Sequence, residues 1–201
     1  MPPVSAGRPA VFIDRDGCLI EEAGYINHPS RVRVLPRSPA AVARLNRAGV
    51  AAVMATNQAG VARDYFSMET LDAVNAEVER QLGEEGARLD AVYVCTHHPT
   101  AGRPPFRLEC ECRKPKPGLL LRAAAELSLD LSRSVMVGDK PSDIGAGQAA
   151  GLATVLVLTG YGRGEWEYRR HEWTLKPDHV AEDLFDAVLW ALGRLDGPCS
   201  P

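Results

Sequence analysis

Two aspartates with a single residue between them follow an apolar run near the start of the chain. Asp14 and Asp16 come directly after residues 10–13, and Gly17 follows them. Side chains two residues apart along a strand point the same way, and glycine permits the sharp turn that must come next. Neighbouring carboxylates repel each other unless a cation lies between them, and such hard oxygen ligands suit Mg²⁺. The pattern therefore predicts a magnesium site at the end of a strand, although a strand that ends in a solvated turn has the same composition.

Other apolar runs of the chain also end in polar residues. The segment Thr56-Asn57-Gln58 follows residues 50–55 and offers a hydroxyl and amides that can hold a phosphate oxygen, although such a segment is more often only a turn. Asp139 follows the fourth apolar run and can complete a metal site that Asp14 opens. Asp143 lies four residues further on, where it either caps the next helix or joins the site.

A group of cations precedes a predicted helix in the second half of the chain. Arg113, Lys114 and Lys116 lie within four positions, and Pro117 suits the first turn of a helix. A basic cluster is usually a solvated surface. Beside several aspartates, however, a lysine neutralises carboxylate and phosphoryl charge together, which every phosphoryl-transfer site requires.

The cysteine spacing predicts a second metal site. Cys95, His97, Cys110 and Cys112 supply three thiolates and one imidazole, a usual tetrahedral zinc set. Four protein ligands leave no open position for water, so the predicted zinc is structural and holds a loop over residues 95–112. His98 can be a neighbour of the site, a solvent-facing residue or an alternative ligand.

Elements that position these residues alternate between strand and helix patterns. Residues 10–13, 50–55, 91–95, 134–137 and 153–158 are predicted strands. Residues 39–48, 68–82, 118–127, 142–150 and 181–195 are predicted helices, with Ser67 as an N-cap and a loop over 160–177. The alternation predicts an α/β fold with a doubly wound parallel sheet, in which ligands bind at the carboxyl ends of the strands.

Size and composition are those of one globular domain. The chain has 201 residues, of which 45% are hydrophobic and 24% charged, and its formal net charge is -3. This charge gives no reason to expect nucleic acid or an anionic membrane as a partner. We predict a domain over residues 10–196, with tails at 1–9 and 197–201. The lack of a signal peptide or a membrane span predicts a cytoplasmic protein, and the grouped cysteines favour a metal site in a reducing compartment. A monomer is also expected.

The four segments Asp14 to Gly17, Thr56 to Gly60, Arg113 to Pro117 and Gly138 to Asp143 together resemble the motifs of the haloacid dehalogenase (HAD) superfamily of phosphatases. They occur in the order that the superfamily uses. The cysteine and histidine elements narrow the resemblance to the subgroup of heptose-bisphosphate and histidinol-phosphate phosphatases. The resemblance implies a HAD-like Rossmannoid fold that binds Mg²⁺ and a structural Zn²⁺.

The resemblance also implies a role for each matching residue. Asp14 is expected to be the nucleophile that forms an aspartyl-phosphate, and Asp16 the general acid and base. Asp14, Asp139 and the backbone carbonyl of Asp16 are expected to hold Mg²⁺. Thr56 and Lys114 are expected to steady the transferring phosphoryl group.

Substrate contacts are expected from Asn57, Gln58, Arg113 and Lys140, and from the loops 22–28 and 103–113. Neither insertion point has room for a large cap domain, so an open site for a small phosphorylated sugar is expected. Cys18 stands where the family usually has threonine. The expected reaction is removal of the 7-phosphate of a heptose 1,7-bisphosphate. Histidinol phosphate as substrate, transfer to an alcohol, and a zinc-stabilised binding module remain alternatives.

Overall fold

A six-stranded, all-parallel sheet forms the centre of the protein. The computed structural model describes residues 7–196. In the sheet the strands follow the order β3-β2-β1-β4-β5-β6. Their bounds are Ala10–Ile13 (β1), Ala51–Asn57 (β2), Ala91–Cys95 (β3), Val135–Gly138 (β4), Ala153–Val157 (β5) and His179–Ala181 (β6).

Helices cover both faces of this sheet. They are Ser38–Arg47 (α1), Met68–Glu84 (α2), Gly118–Leu127 (α3), Pro141–Ala149 (α4), the single turn Gly162–Gly164 (α5) and Leu184–Asp196 (α6). Val11 and Ile13 point to a core shared with α1, α2 and α6. Ala10 and Phe12 point to the opposite core, which α3 and α4 close. This burial on both sides explains why the strands read as continuous apolar runs.

The order of the strands reverses direction beside β1. The chain moves outward through β2 and β3, and then returns to add β4 on the other side of β1. Phe12 lies opposite Val53 in β2 and Met136 in β4. The carboxyl ends of these strands therefore open into one crevice, where a doubly wound sheet binds its ligands. The predicted fold class is confirmed.

The predicted elements match the observed ones closely, with differences at the ends. α3 has the predicted bounds, and the Ser67 side chain caps α2 by accepting a hydrogen bond from the backbone N–H of Thr70. β2 runs two residues further than predicted, so Thr56 and Asn57 lie in the strand. The predicted helix 181–195 was wrong at its start, because His179–Ala181 forms β6 at the sheet edge and the helix begins at Leu184. A three-residue strand is too short to show a period in the sequence.

Two further segments differ from the sequence prediction. The predicted loop 160–177 contains α5 and further helical turns as far as Glu172. The predicted tails 1–9 and 197–201 lie outside the described residues except at 7–9, where Arg8 pairs with Leu129. Arg8 therefore contacts the domain although it lies before the predicted boundary at residue 10. Within residues 7–196, no helix combines the length and apolar character needed to cross a bilayer.

Candidate active site and candidate zinc site

Asp14 lies at the carboxyl end of β1, in the crevice between β2 and β4. Its backbone N–H donates to the carbonyl of Val137, 3.0 Å away, which fixes the residue against β4. The Lys114 ammonium lies 3.0 Å from Asp14 Oδ1 and 2.6 Å from Asp143 Oδ1. Lys114 is only 3% exposed, and it also donates to the carbonyl of Ala55 at 2.8 Å. The predicted meeting of a lysine with the aspartates is therefore present.

Three carboxylates converge beside this lysine. Asp14, Asp139 and Asp143 each offer an oxygen within 4.8 Å of the others, and all three are buried. Asp139 Oδ2 accepts the backbone N–H of Tyr161 at 2.9 Å, whereas its buried Oδ1 has no hydrogen-bond partner and lies 3.2 Å from the Lys140 ammonium. Carboxylate oxygens are hard ligands of the kind that Mg²⁺ prefers, and a buried oxygen without a hydrogen bond can accept a cation. The residues fit a magnesium ion.

Burial and charge act in opposite directions on these groups. Burial raises the pKa of Asp139 to about 7, and the carboxylates of Asp14 and Asp143 add to the rise while Lys140 opposes it. Burial alone would also raise the pKa of Asp14, but Lys114 and then Lys140 outweigh it, so the pKa is lowered. Asp14 is therefore held as the charged carboxylate that a nucleophile needs.

Asp16 does not belong to this carboxylate cluster and has hydrogen-bond partners of its own. Gln58 Nε2 donates to Asp16 Oδ2 at 2.7 Å, and the guanidinium of Arg15 donates to both carboxylate oxygens. Burial raises the pKa of Asp16 above its ordinary value, against the opposing charge of Arg15. Gln58 Nε2 also donates to the Thr56 hydroxyl at 3.0 Å. The two aspartates thus occupy different electrostatic environments although only one residue lies between them.

The residues predicted to contact substrate line one cleft of about 370 Å³, which Asp14 and Asp16 also line. Their side chains are partly engaged with the protein itself. Asn57 exchanges two hydrogen bonds with the backbone of Lys114, at 3.0 and 3.1 Å. Arg113 donates to the carbonyl of His97 at 3.1 Å. Asn57 therefore fixes the lysine segment against the end of β2.

Lys140 also lines this cleft. Its ammonium is 3.0 Å from the Glu22 carboxylate and 4.5 Å from the centre of the Tyr161 ring. Glu22 and Tyr25, from the predicted contact loop 22–28, line the cleft, whereas Arg113 is the residue of loop 103–113 that does so. No large cap domain covers the opening within the described residues, because the chain between β1 and β2 forms short loops and α1.

The second predicted metal site is also assembled. Cys95 Sγ lies 3.6 Å from Cys110 Sγ and 3.2 Å from Cys112 Sγ, and His97 Nδ1 lies 3.3 Å from Cys112 Sγ. The four ligand atoms all lie within 4.8 Å of one another, and the sulfurs are free thiols. Three sulfurs and one nitrogen at this spacing fit a four-coordinate zinc ion.

His98 shapes the loop of residues 95–112 and does not belong to the four-residue ligand group. Its Nδ1 accepts backbone hydrogen bonds from Ala101 at 2.9 Å and Thr100 at 3.2 Å. Its backbone pairs with Phe106 and Leu108. The ring therefore shapes the loop that carries Cys110 towards the end of β3.

Comparison with known proteins identifies the family. A model of HAD-hydrolase-like proteins matches residues 111–187. The D-glycero-D-manno-heptose-1,7-bisphosphate 7-phosphatase of Thermosynechococcus vestitus is 43% identical over 195 residues, which cover 94% of this chain and 97% of that protein. The D-glycero-beta-D-manno-heptose-1,7-bisphosphate 7-phosphatase of Vibrio cholerae is 40% identical and covers 76% of this chain and 83% of its own. The chain belongs to the heptose-1,7-bisphosphate 7-phosphatase family of HAD-like hydrolases.

A solved member of this phosphatase family has the same fold. The crystal structure of D,D-heptose 1,7-bisphosphate phosphatase from B. bronchiseptica, complexed with magnesium and phosphate, is 34% identical and superposes with a TM-score of 0.81. The match covers 92% of this chain and 98% of that one. The predicted enzyme class, a phosphatase, is confirmed by this membership.

The sequence prediction missed some residues of the phosphatase site. The sequence left open whether Asp143 caps helix α4 or belongs to the site, and the structure shows both. Its Oδ2 accepts the backbone N–H of Lys140, while its Oδ1 faces Lys114. The pairing of Glu22 with Lys140 was not predicted, since the two are 118 positions apart. Arg15 was given no role, although it contacts Asp16. Cys18 is buried in the core cluster next to β1 and belongs to neither metal-ligand group of the described residues.

Proposed function

We propose that this protein is a Mg²⁺-dependent phosphomonoesterase that removes the 7-phosphate of D-glycero-D-manno-heptose 1,7-bisphosphate. The observation that supports this substrate is the similarity to a heptose-bisphosphate phosphatase over nearly the whole chain. The convergence of Asp14, Asp139, Asp143 and Lys114 at one sheet edge supports the reaction type. Among these groups a phosphoryl group meets a nucleophile, a cation and a metal-binding carboxylate cluster.

In the first half of the proposed reaction, a carboxylate oxygen of Asp14 attacks phosphorus and the bond from phosphorus to the sugar oxygen breaks. Asp16 donates a proton to that oxygen as it leaves. In the second half, Asp16 takes a proton from water, the water oxygen attacks the aspartyl-phosphate, and inorganic phosphate and free Asp14 result. A covalent intermediate divides one difficult displacement into two easier ones.

Neighbouring groups stabilise the charge that this transfer moves. Lys114 faces Asp14 at 3.0 Å, so its ammonium also lies within reach of a phosphoryl group bound there. The Thr56 hydroxyl lies beside Gln58 and can donate to a phosphoryl oxygen. Asp14, Asp139 and Asp143, with the backbone carbonyl of Asp16, would hold Mg²⁺, which when bound neutralises charge between the nucleophile and the phosphate.

Specificity is assigned to the rim of the cleft. Arg113 and Lys140 both line the cleft, and a bisphosphate presents a second anionic group that either cation can recognise. The zinc site formed by Cys95, His97, Cys110 and Cys112 would fix the loop that carries Arg113. We assign the zinc a structural role because all four positions come from the protein.

We further propose that the enzyme acts as a monomer in the cytoplasm. Every residue assigned to the reaction comes from one chain, and the free thiols of the zinc-binding loop suit a reducing compartment.

The test is a substrate panel with purified protein and Mg²⁺. We expect phosphate release from the heptose 1,7-bisphosphate with a kcat/KM at least about 100-fold above that for histidinol phosphate, since productive contacts with a second phosphate are worth that much. Equal and feeble rates on both compounds would refute the substrate assignment. Phosphate appearing on an added alcohol in preference to water would refute hydrolysis as the reaction.

A further inference from the structure

Arg15, between the two site aspartates, carries a guanidinium that is buried in the protein interior. The residue is 1% exposed. Its Nε donates to Asp16 Oδ2 at 3.2 Å, and one terminal nitrogen donates to Asp16 Oδ1 at 3.1 Å. That nitrogen also donates to Gln58 Oε1 at 2.8 Å. A buried charge is costly unless it is paired and hydrogen-bonded, so this arrangement explains how Arg15 is tolerated.

The remaining terminal nitrogen of Arg15 reaches across to helix α2. It donates to Oδ1 of Asn75 at 2.9 Å. Asn75 is 6% exposed and lies on the face of α2 that otherwise buries Leu71, Val74 and Val78 in the core. Burying an amide at such a position costs free energy unless the amide is hydrogen-bonded. The hydrogen bond that Asn75 accepts from Arg15 offsets part of this cost.

These contacts restrain the carboxylate of Asp16 from two directions. Arg15 holds both of its oxygens, and Gln58 Nε2 holds Oδ2 at 2.7 Å. Gln58 is itself oriented, because its oxygen accepts from Arg15 and its nitrogen donates to Asp16. A planar guanidinium supplies these bonds in a fixed fork, which an ammonium cannot reproduce. Rotation of Asp16 would therefore break several hydrogen bonds at once.

We propose that Arg15 is a positioning residue that aims the Asp16 carboxylate at the leaving oxygen, and that Asn75 on α2 holds Arg15 in place. The inference rests on the proposed function, in which Asp16 is the general acid. A chain of buried hydrogen bonds, the relay, runs from Asn75 on α2 through Arg15 to Asp16 and positions the acid. A proton donor is effective only within hydrogen-bond reach of its target, so misplacing Asp16 costs the reaction its acid catalysis.

The leaving group distinguishes this role from a merely structural one. An alkoxide such as the sugar oxygen needs a proton as it departs, whereas p-nitrophenolate is stable enough to depart without one. The value of kcat/KM depends only on the steps up to and including the first irreversible one, which is the transfer of the phosphoryl group to Asp14. The ratio of kcat/KM for heptose bisphosphate to kcat/KM for p-nitrophenyl phosphate therefore measures acid catalysis, and it does not depend on the fraction of protein that is folded.

The experiment measures this ratio in the full chain with Mg²⁺ for Arg15→Lys, Asn75→Leu, Asn75→Asp and Asp16→Asn. General acid catalysis contributes about 10²- to 10⁴-fold, so we expect Asp16→Asn and Arg15→Lys to lower the ratio by at least about 50-fold. Asn75→Leu removes the acceptor and should lower the ratio by roughly 10-fold, a partial loss of the same acid catalysis. Asn75→Asp keeps an acceptor for Arg15 and should stay within about 3-fold of the parent ratio.

Asn46→Leu is the matched control. Asn46 lies on α1 and exchanges two hydrogen bonds, each of 2.9 Å, with the backbone of Arg88 before β3, at the opposite end of the sheet from the site. Its loss should lower stability without changing the ratio.

The outcomes separate the inference from the proposed function. If Asp16→Asn lowers the ratio but Arg15→Lys and Asn75→Leu leave it unchanged, the relay is refuted and the acid role of Asp16 stands. If Asp16→Asn itself leaves the ratio unchanged, Asp16 is not the acid and both fail. If the ratio falls in Arg15→Lys and Asn75→Leu but stays near the parent value in Asn75→Asp, the relay is supported.

Discussion

Replacing Lys114 with methionine tests the charge balance at the centre of the site. Methionine has nearly the length of lysine but no charge, so the substitution removes the ammonium without opening a large cavity. Lys114 is 3% exposed and lies 3.0 Å from Asp14 and 2.6 Å from Asp143. Removing one partner from a buried ion pair costs about 3–5 kcal/mol, because the other charge stays buried without compensation.

This cost predicts a measurable fall in stability and in rate. For a chain of this size, about 1 kcal/mol corresponds to a 2–4 °C change in Tm, so Lys114→Met should lower Tm by roughly 6–20 °C in metal-free buffer. Loss of one charge-stabilising donor lowers kcat by about 10²- to 10³-fold. Thermal unfolding followed by circular dichroism and phosphate release from the heptose bisphosphate measure the two effects on the same preparation.

Lys116→Met is the matched control. Lys116 is two residues away and pairs with the exposed carboxylates of Glu109 and Glu111, at 3.4 and 3.0 Å. Exposed ion pairs contribute about 0–1 kcal/mol, so this variant should keep the parent Tm within about 4 °C and the parent rate. The comparison isolates the effect of burial from the loss of one positive charge.

A second change separates the stability effect from the catalytic one. Adding Asp143→Asn to Lys114→Met removes one of the uncompensated carboxylates, so it should restore part of the lost Tm without restoring activity. A Lys114→Met protein with the parent Tm would refute the electrostatic account of the buried pair. A Lys114→Met protein within about 3-fold of the parent kcat would refute the role of Lys114 in phosphoryl transfer.

Further variants test the other assignments. Asp14→Asn should abolish phosphate release while keeping the circular dichroism spectrum, and activity within about 10-fold of the parent would exclude Asp14 as the nucleophile. Metal analysis should find one zinc ion per chain, lost in Cys110→Ala together with several degrees of Tm; zinc retained in that variant would contradict the ligand set. Gly17 and Gly49 both have positive φ, at 81° and 70°, but a Cβ at Gly17 would collide with the Asp139 carboxylate whereas Gly49 has open space around it. Gly49→Ala should therefore cost only about 1–2 kcal/mol of backbone strain, while Gly17→Ala should lose more stability and its activity; equal losses in the two would refute the steric argument.

Local patterns in the sequence were sufficient for β1 to β5 and for the five longer helices. The strands are buried on both faces, so their apolar runs are unbroken, and the bounds of α3 follow from a clear helical period. The cluster of three cysteines and one histidine that fits zinc could also be predicted, because Cys110 and Cys112 are two residues apart and the set has a known spacing. β6 was missed, since three residues at a sheet edge depend on pairing with β5 rather than on their own pattern.

The roles of individual polar residues were less accessible. Asn57 and Gln58 read as ligands for a phosphate, yet in the fold their side chains also hold Lys114 and Asp16 in place. The contacts of Asn57 with Lys114 span 57 positions of the chain, and the bond from Arg15 to Asn75 spans 60. No local spacing encodes such pairs.

The sequence by itself determined the α/β fold, the residue types at the strand ends and the grouping of the cysteines, because these follow from the periodicity of single elements and from short spacings. Only the tertiary structure decided that Asp143 faces Lys114, that Glu22 pairs with Lys140 and that Arg15 joins Asp16 to α2. The physical reason is that a buried charge is costly unless a partner lies close to it in space, whatever their separation along the chain. The packing of α2 and α4 on the sheet brings these partners together from distant parts of the chain.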